Sequence, residues 1–358
     1  MDLFQRSIEI IKENQHPGGS YVACPNFKNY QYCWLRDGSF IAYAMDRSGE
    51  FDSSRRFYQW VNGVITTREG RIRKLLQKKE NRQFIARDEF LPTRYRLDGQ
   101  ETKDDWANFQ LDGYGTWLWG LAEHIGATGE VELLETFQKG IGLTIAYLTV
   151  FWDTPNFDCW EENGDRIHPA TLACIAGGLA GINQYYQSPA ITGTCKAIHE
   201  FIMKNAVHQG RLVKSIGIEE VDASLLWMAV PFEIFPGDDS FMLQTVREIE
   251  AKLYKNKAGV HRYATDSFYG GGAWILLTAW LGWYYAQNSR LDEAREIKTW
   301  IENQVGEGGE LPEQVPINLN QEFYYPLWVE RWGNPAQPLL WSHAMYLILC
   351  RELGIQRA

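Results

Sequence analysis

Apolar residues recur along almost the whole chain at spacings of three and four, the period of an amphipathic α-helix, and no extended run alternates as a strand would. Leu111, Tyr114, Leu118, Leu121 and Ile125 form one such stripe, Leu172, Ile175, Leu179 and Ile182 a second, and Met242, Val246, Ile249 and Leu253 a third. Caps and breakers supply the ends: Pro17, Gly18 and Gly19 stop the first helix, Ser188-Pro189 and Asp239 open later ones, and Gly354 follows the last. About twelve helices are predicted. They include Leu3 to Asn14, one opened by Asp37, a long charged helix from Asp52-Ser53-Ser54 toward Lys79, one from Glu130 to Phe151, a short one entered at Asp222, and a last from about Gln337 to Leu353. Gly177, Gly178 and Gly181 would let a neighbouring helix approach closely. Residues 80–105 lack periodicity and read as a long loop carrying Arg94, Tyr95 and Arg96, and loops of that length are often functional. With no Pro/Ser-rich linker, one all-α domain over residues 1–358 is expected.

Loops with polar and aromatic clusters precede every second helix: Arg36-Asp37, Trp106 to Asp112, Trp160-Glu161, Asp222, Arg262 to Trp274, and Glu313 to Trp341. Six helical hairpins closed into a ring would show this pattern, with every functional loop at one end.

Composition narrows the partners. The net charge is −10 with no basic run, which argues against nucleic acid and anionic membranes. The first residues lack the basic tip and apolar run of a signal peptide, and no window approaches a membrane span, so a cytoplasmic protein is expected. Six scattered cysteines form no CxxC pair and seven histidines show no metal-ligand spacing, so reduced thiols and no metal site are expected. The 15 Trp and 18 Tyr suit either a large helical core or stacking on sugar faces.

Phe157-Asp158-Cys159-Trp160-Glu161-Glu162 is the stretch with most chemistry in it. Trp160 would shield a neighbouring carboxyl from water, and Asp158 and Glu162 add like charge, both of which favour a Glu that keeps its proton near neutrality. The plainer reading is a solvated helix cap. A second carboxyl, Glu313 in Gly309-Glu310-Leu311-Pro312-Glu313-Gln314, would face the same pocket in a ring of hairpins. One protonated and one ionised carboxyl are the minimum equipment for hydrolysing a glycosidic bond. Arg36, Asp37 and Arg262 would bind sugar hydroxyls, or else form ordinary ion pairs.

Taken together, Tyr30 to Gly38, Trp106 to Gly113, Asp158 to Glu162, Arg262 through Trp274, Leu311 to Gln314 and Leu340 to Ala344 resemble the glucoamylase family, glycoside hydrolase family 15. The resemblance implies an (α/α)6 barrel and an inverting, exo-acting α-glucosidase that releases β-glucose without a cofactor. It implies Glu161 as general acid and Glu313 as general base, with Tyr30 beside the attacking water. Arg36, Asp37 and Arg262 would grip the terminal glucose, Trp34, Trp106 and Trp274 would wall its pocket together with Trp160, Glu162 would meet the leaving sugar, and Asp158 would tune Glu161. Short gluco-oligosaccharides are the implied substrates, with α-1,6 links of isomaltose type favoured over α-1,4 links or trehalose. Loop residues 94–105 would set that choice. A barrel without catalysis, serving as a sugar-sensing module, is the alternative from another class, and a helical-ring epimerase or uronyl hydrolase using His168 or His343 is a third. The sequence does not set the oligomeric state, and a monomer is compatible with it.

Overall fold

A computed structural model describes residues 2–102, 104 and 106–355. In chain order its α-helices are α1 (Leu3–Glu13), α2 (Leu35–Arg47), α3 (Phe51–Thr66), α4 (Glu69–Glu80), α5 (Asp112–Thr128), α6 (Leu133–Thr136), α7 (Gln138–Phe151), α8 (Pro169–Tyr186), α9 (Pro189–Asn205), α10 (Ser240–Leu253), α11 (Ile275–Gln287), α12 (Leu291–Glu302), α13 (Tyr324–Trp332) and α14 (Leu340–Glu352). Three antiparallel ribbons of two-residue strands join them: β1 (Cys33–Trp34) with β2 (Arg94–Tyr95), β3 (Val207–His208) with β4 (Arg211–Leu212), and β5 (Ala273–Trp274) with β6 (Gln314–Val315).

The helical reading holds, with local corrections. The long helix expected from Asp52 to Lys79 is broken after Thr66, where the hydroxyls of Thr66 and Thr67 donate to the carbonyls of Asn62 and Val64 (2.8 and 2.9 Å) and compete with the helical backbone. Phe137 separates α6 from α7 within the helix expected from Glu130 to Phe151. The helix after Asp222 is a 3₁₀ turn, Ala223–Met228, with Asp222 Oδ1 accepting from the Ser224 N–H at 2.8 Å. The last helix opens at Leu340 rather than Gln337, because Pro338 and an extended Leu339 precede it. Helix α13 was not foreseen: it buries none of its residues fully and so presents no stripe. Residues 80–105 are not wholly loop, since Arg94–Tyr95 forms β2.

The chain divides into two compact units. One comprises Gln15–Val22 and Tyr32–Asn205 and holds α2 to α9 with β1 and β2. Its centre is α5 against α8, both buried along most of their length, exposed only at Glu123, Gly126 and Ala127 in the one and at Ala180, Gln184 and Tyr186 in the other, and both correspondingly rich in apolar residues. Glycine makes that approach possible: a Cβ on Gly178 would lie 2.1 Å from the Gly115 carbonyl oxygen, and one on Gly115 would lie 2.3 Å from that of Cys174. The other unit comprises Met1–Asn14, Ala23–Gln31 and Ala206–Ala358 and holds α1, α10 to α14 and β3 to β6. Trp227, Trp280 and Trp341 cluster in its core, with ring centroids 5.2 Å apart for the first two and 5.9 Å for the last two, and the Trp280 Nε1–H donates to the Val230 carbonyl at 2.8 Å. Much of the tryptophan content is therefore core.

Each unit carries the same local device. A two-residue strand runs straight into a helix, β1 into α2 and β5 into α11, and its partner strand comes from a distant loop. The first helical N–H of each bonds the residue just before that partner: Leu35 to Thr93 O and Ile275 to Glu313 O, both at 3.1 Å.

Gly178→Ala is expected to cost about 1–3 kcal/mol by overpacking α5 against α8. Gly193→Ala, in α9 where a Cβ meets nothing within 4 Å, should add about 0.5–1 kcal/mol through helix propensity. Denaturant unfolding of the two variants checks the contrast.

Candidate active site

In the unit built on α5 and α8, the loop before α8 is shaped by Asp158. Its Oδ1 accepts the N–H groups of Trp160 (3.0 Å) and Glu162 (2.8 Å), its own N–H donates to Glu162 O (3.0 Å), and Glu161 N–H donates to Asp158 O (2.9 Å). This tight turn holds Glu161 at φ 68°, a left-handed conformation that costs a non-glycine residue on the order of 1 kcal/mol. The result is that Glu161, half-buried, points its Oε1 at the indole of Trp34, whose Nε1–H donates to it at 2.6 Å. Trp34 is placed by β1 and meets Trp106 edge to face, centroids 6.3 Å apart. Trp160 and Asp158 are buried and Glu162 is half-buried.

Arg36 and Asp37 lie in the first turn of α2 and are both buried. Arg36 Nη1 donates to Gln110 Oε1 and to Asp112 Oδ2, each at 2.8 Å, and its Nε lies 3.3 Å from Asp37 Oδ1. Burial opposes the charge on Arg36, but Asp112 and Asp37 outweigh it and hold the guanidinium firmly protonated. Asp37 behaves differently. Burial pushes its carboxyl up to about 7, Arg36 opposes the rise, and Glu161 and Asp112 add to it.

In the other unit, Glu313 is buried, its N–H donating to Ala336 O at 2.8 Å, and the next residue, Gln314, pairs with Trp274 in the β5–β6 ribbon. Two residues earlier, Leu311 N–H donates to His343 Nε2 at 3.0 Å, while His343 Nδ1 meets Ser7 Oγ at 2.9 Å. Burial pushes His343 down to about 3, so it stays neutral and holds the Glu313 loop. His168, likewise buried, meets the carbonyls of Asn156 (2.8 Å) and Asn163 (3.2 Å) through Nε2. Arg262 Nε and Nη2 engage Asp266 as a bidentate pair at 2.8 and 2.5 Å, and its guanidinium lies 5.3 Å from the Trp274 ring centroid. Tyr30, half-buried, packs on Phe27 with centroids 4.8 Å apart.

The first unit thus gathers Trp34, Arg36, Asp37, Trp106, Asp158, Trp160, Glu161 and Glu162, and the second holds Tyr30, Arg262, Trp274 and Glu313. Sequence reasoning did not single out Gln110 and Asp112, which share Arg36, or Asp266, which holds Arg262. A buried arginine needs partners, and an acid at i+4 was the available signal for Asp266. Arg94, read as a loop residue near the leaving sugar, is fully buried.

The model of glycosyl hydrolases family 15 matches residues 1–309. The chain belongs to that family. It is a glycosidase. The isomaltose glucohydrolase of Kribbella flavida is 41% identical over 361 residues, covering 99% of this chain and 93% of the relative. A solved glycosidase variant in complex with glucose is 40% identical, with a TM-score of 0.95 over 99% of this chain and 97% of that one. A bacterial glucoamylase complexed with acarbose shares the fold at 19% identity, with a TM-score of 0.78 over 99% of this chain and 56% of that one. The fold class is accordingly that of the glucoamylases, the (α/α)6 class expected from the sequence.

Asp37 gives a pH signature. Its folded carboxyl binds a proton near pH 7 and an unfolded Asp near about 4, so its contribution to stability is full below about pH 4 and is lost as pH rises through 7. Relative to Asp37→Asn, the parent should therefore lose on the order of 2–4 kcal/mol between pH 4 and 8, measured by denaturant unfolding. A constant difference would contradict the assignment.

Proposed function

We propose that this family 15 glycosidase is an inverting, exo-acting α-glucosidase of short gluco-oligosaccharides, preferring α-1,6 links of isomaltose type and working as one catalytic domain over residues 1–358. The observation that carries the proposal is 41% identity, along 99% of the chain, to a relative named for isomaltose hydrolysis. The glucose complex of a 40% identical glycosidase supports a glucoside as substrate.

In this reading protonated Glu161 gives its proton to the glycosidic oxygen as the bond breaks. Ionised Glu313 takes a proton from the water that attacks the opposite face of the sugar, with Tyr30 beside that water. The Trp34 N–H on Glu161 Oε1 fixes one oxygen of the acid and would stabilise the carboxylate left once the proton has gone to the glycosidic oxygen. Arg36, Asp37 and Arg262 grip the terminal glucose, Trp34, Trp106, Trp274 and Trp160 wall it, and Glu162 meets the leaving sugar. Asp158 acts by shaping the loop that presents Glu161. Among the described residues no helix is long and apolar enough to cross a membrane. Six free cysteines fit a reducing compartment, and we place the protein in the cytoplasm.

Glu161→Gln and Glu313→Gln should each lower glucose release by about two to four decades with the fold intact. Near-parental activity in either removes its role. On a panel of isomaltose, panose, dextran, maltose and trehalose, isomaltose should give the highest kcat/KM, with β-glucose as the first anomer seen by NMR. Initial α-glucose would contradict inversion.

A further inference from the structure

Arg94 stands directly opposite Trp34 in the β1–β2 register. Its side chain is fully buried among three rings, the guanidinium carbon lying 4.0 Å from the Trp106 centroid, 4.3 Å from that of Tyr32 and 5.3 Å from that of Trp34. Nη2 pairs with Asp104, whose side chain is 43% exposed, while Nε and Nη1 find no hydrogen-bond partner among the described residues. Leaving two guanidinium nitrogens, with three N–H groups between them, dry and unbonded is costly, and one pair to a water-facing carboxylate compensates little of it. Stacking of a desolvated cation on aromatic faces is the attraction that remains. The ribbon itself does not demand a cation, because the matching place opposite Trp274 in β6 is the neutral Gln314.

The cation in β2 therefore has a local purpose, and one of the three rings around it, Trp34, is the one whose Nε1–H holds Glu161 at 2.6 Å. We propose that Arg94 is a positioning residue for Glu161. Lodged between Trp34 and Trp106, whose centroids are 6.3 Å apart, it fixes the plane of Trp34, and by drawing on the indole π density it strengthens the Nε1–H as a donor to the acid. This deepens the reading of Glu161 as general acid and rests on it.

A leaving group that departs without protonation separates this role from a merely structural one. Arg94→Met fills the aromatic cage without charge, and the Asp104 it strands faces water, so the variant should fold, as thermal unfolding will check. With isomaltose its kcat should fall about tenfold or more with KM changed less than about threefold; with α-glucosyl fluoride, which needs no acid to expel fluoride, kcat should stay within about threefold of the parent. Arg94→Lys, which keeps charge but loses the planar stack, should lie between the two and carries the test if the Met variant does not fold. Glu161→Gln, run in parallel, should show the same substrate bias more strongly. Equal loss on both substrates, or no loss on either, while Glu161→Gln keeps its bias, overturns the role of Arg94 alone. Absence of that bias in Glu161→Gln overturns the acid assignment and this inference with it.

Discussion

A guanidinium removed from water has to be met by charge and hydrogen bonds, and Arg36 is met from two helices at once. Asp37 shares the first turn of α2 with it, Asp112 is the first residue of α5, and Gln110 comes from the approach to α5. Both acids sit at helix N-termini, where the unpaired N–H groups favour negative charge. The beginnings of α2 and α5 are thereby tied together, and α5 can pack on α8 only because Gly115 and Gly178 permit it. Removing one member of such a buried set strands the others, which is why the set is more constraining than its net energy suggests.

Around that knot the backbone uses a very small device to place large side chains. A two-residue ribbon leads into α2 and another into α11, and each delivers a tryptophan, Trp34 or Trp274. The partner segment arrives from far along the chain, bringing Thr93-Arg94 in one unit and Glu313-Gln314 in the other. Rigid elements of this kind suit a site whose geometry must be held closely. The strained turn at Glu161 completes the arrangement in its unit. Asp158 supplies the hydrogen bonds that hold the left-handed residue, and the Trp34 N–H donates to its carboxyl group.

Two carboxylates near one another in this unit are treated differently by their surroundings. Asp112 lies on Arg36 Nη1 at 2.8 Å, whereas Asp37 keeps a longer 3.3 Å contact to Nε, has the field of Glu161 against it, and has an Oδ1 that accepts no hydrogen bond among the described residues. In the proposed role of Asp37 a sugar hydroxyl donating to its carboxyl would favour the ionised form, which would link substrate binding to the charge of Asp37.

Helix content, most helix ends and the family were legible along the chain, and Glu161 and Glu313 stood out as candidates, because period, caps and short motifs are properties of neighbours in sequence. Where local signals were weak the reading slipped: hydroxyl back-bonding at Thr66 and Thr67 divided one expected helix into α3 and α4, and α13 hid because it has no buried stripe. Two-residue strands have no period to detect, so β1–β2 and β5–β6 were invisible, and with them the partners they align. Arg94 shows the difference most clearly. In sequence it is a charge in an irregular stretch, and only the pairing of residues sixty positions apart, with Trp106 closing over it, makes it a buried cation lodged between Trp106 and the tryptophan that holds Glu161. Burial is a property of the folded surroundings, and no residue carries it in its own name.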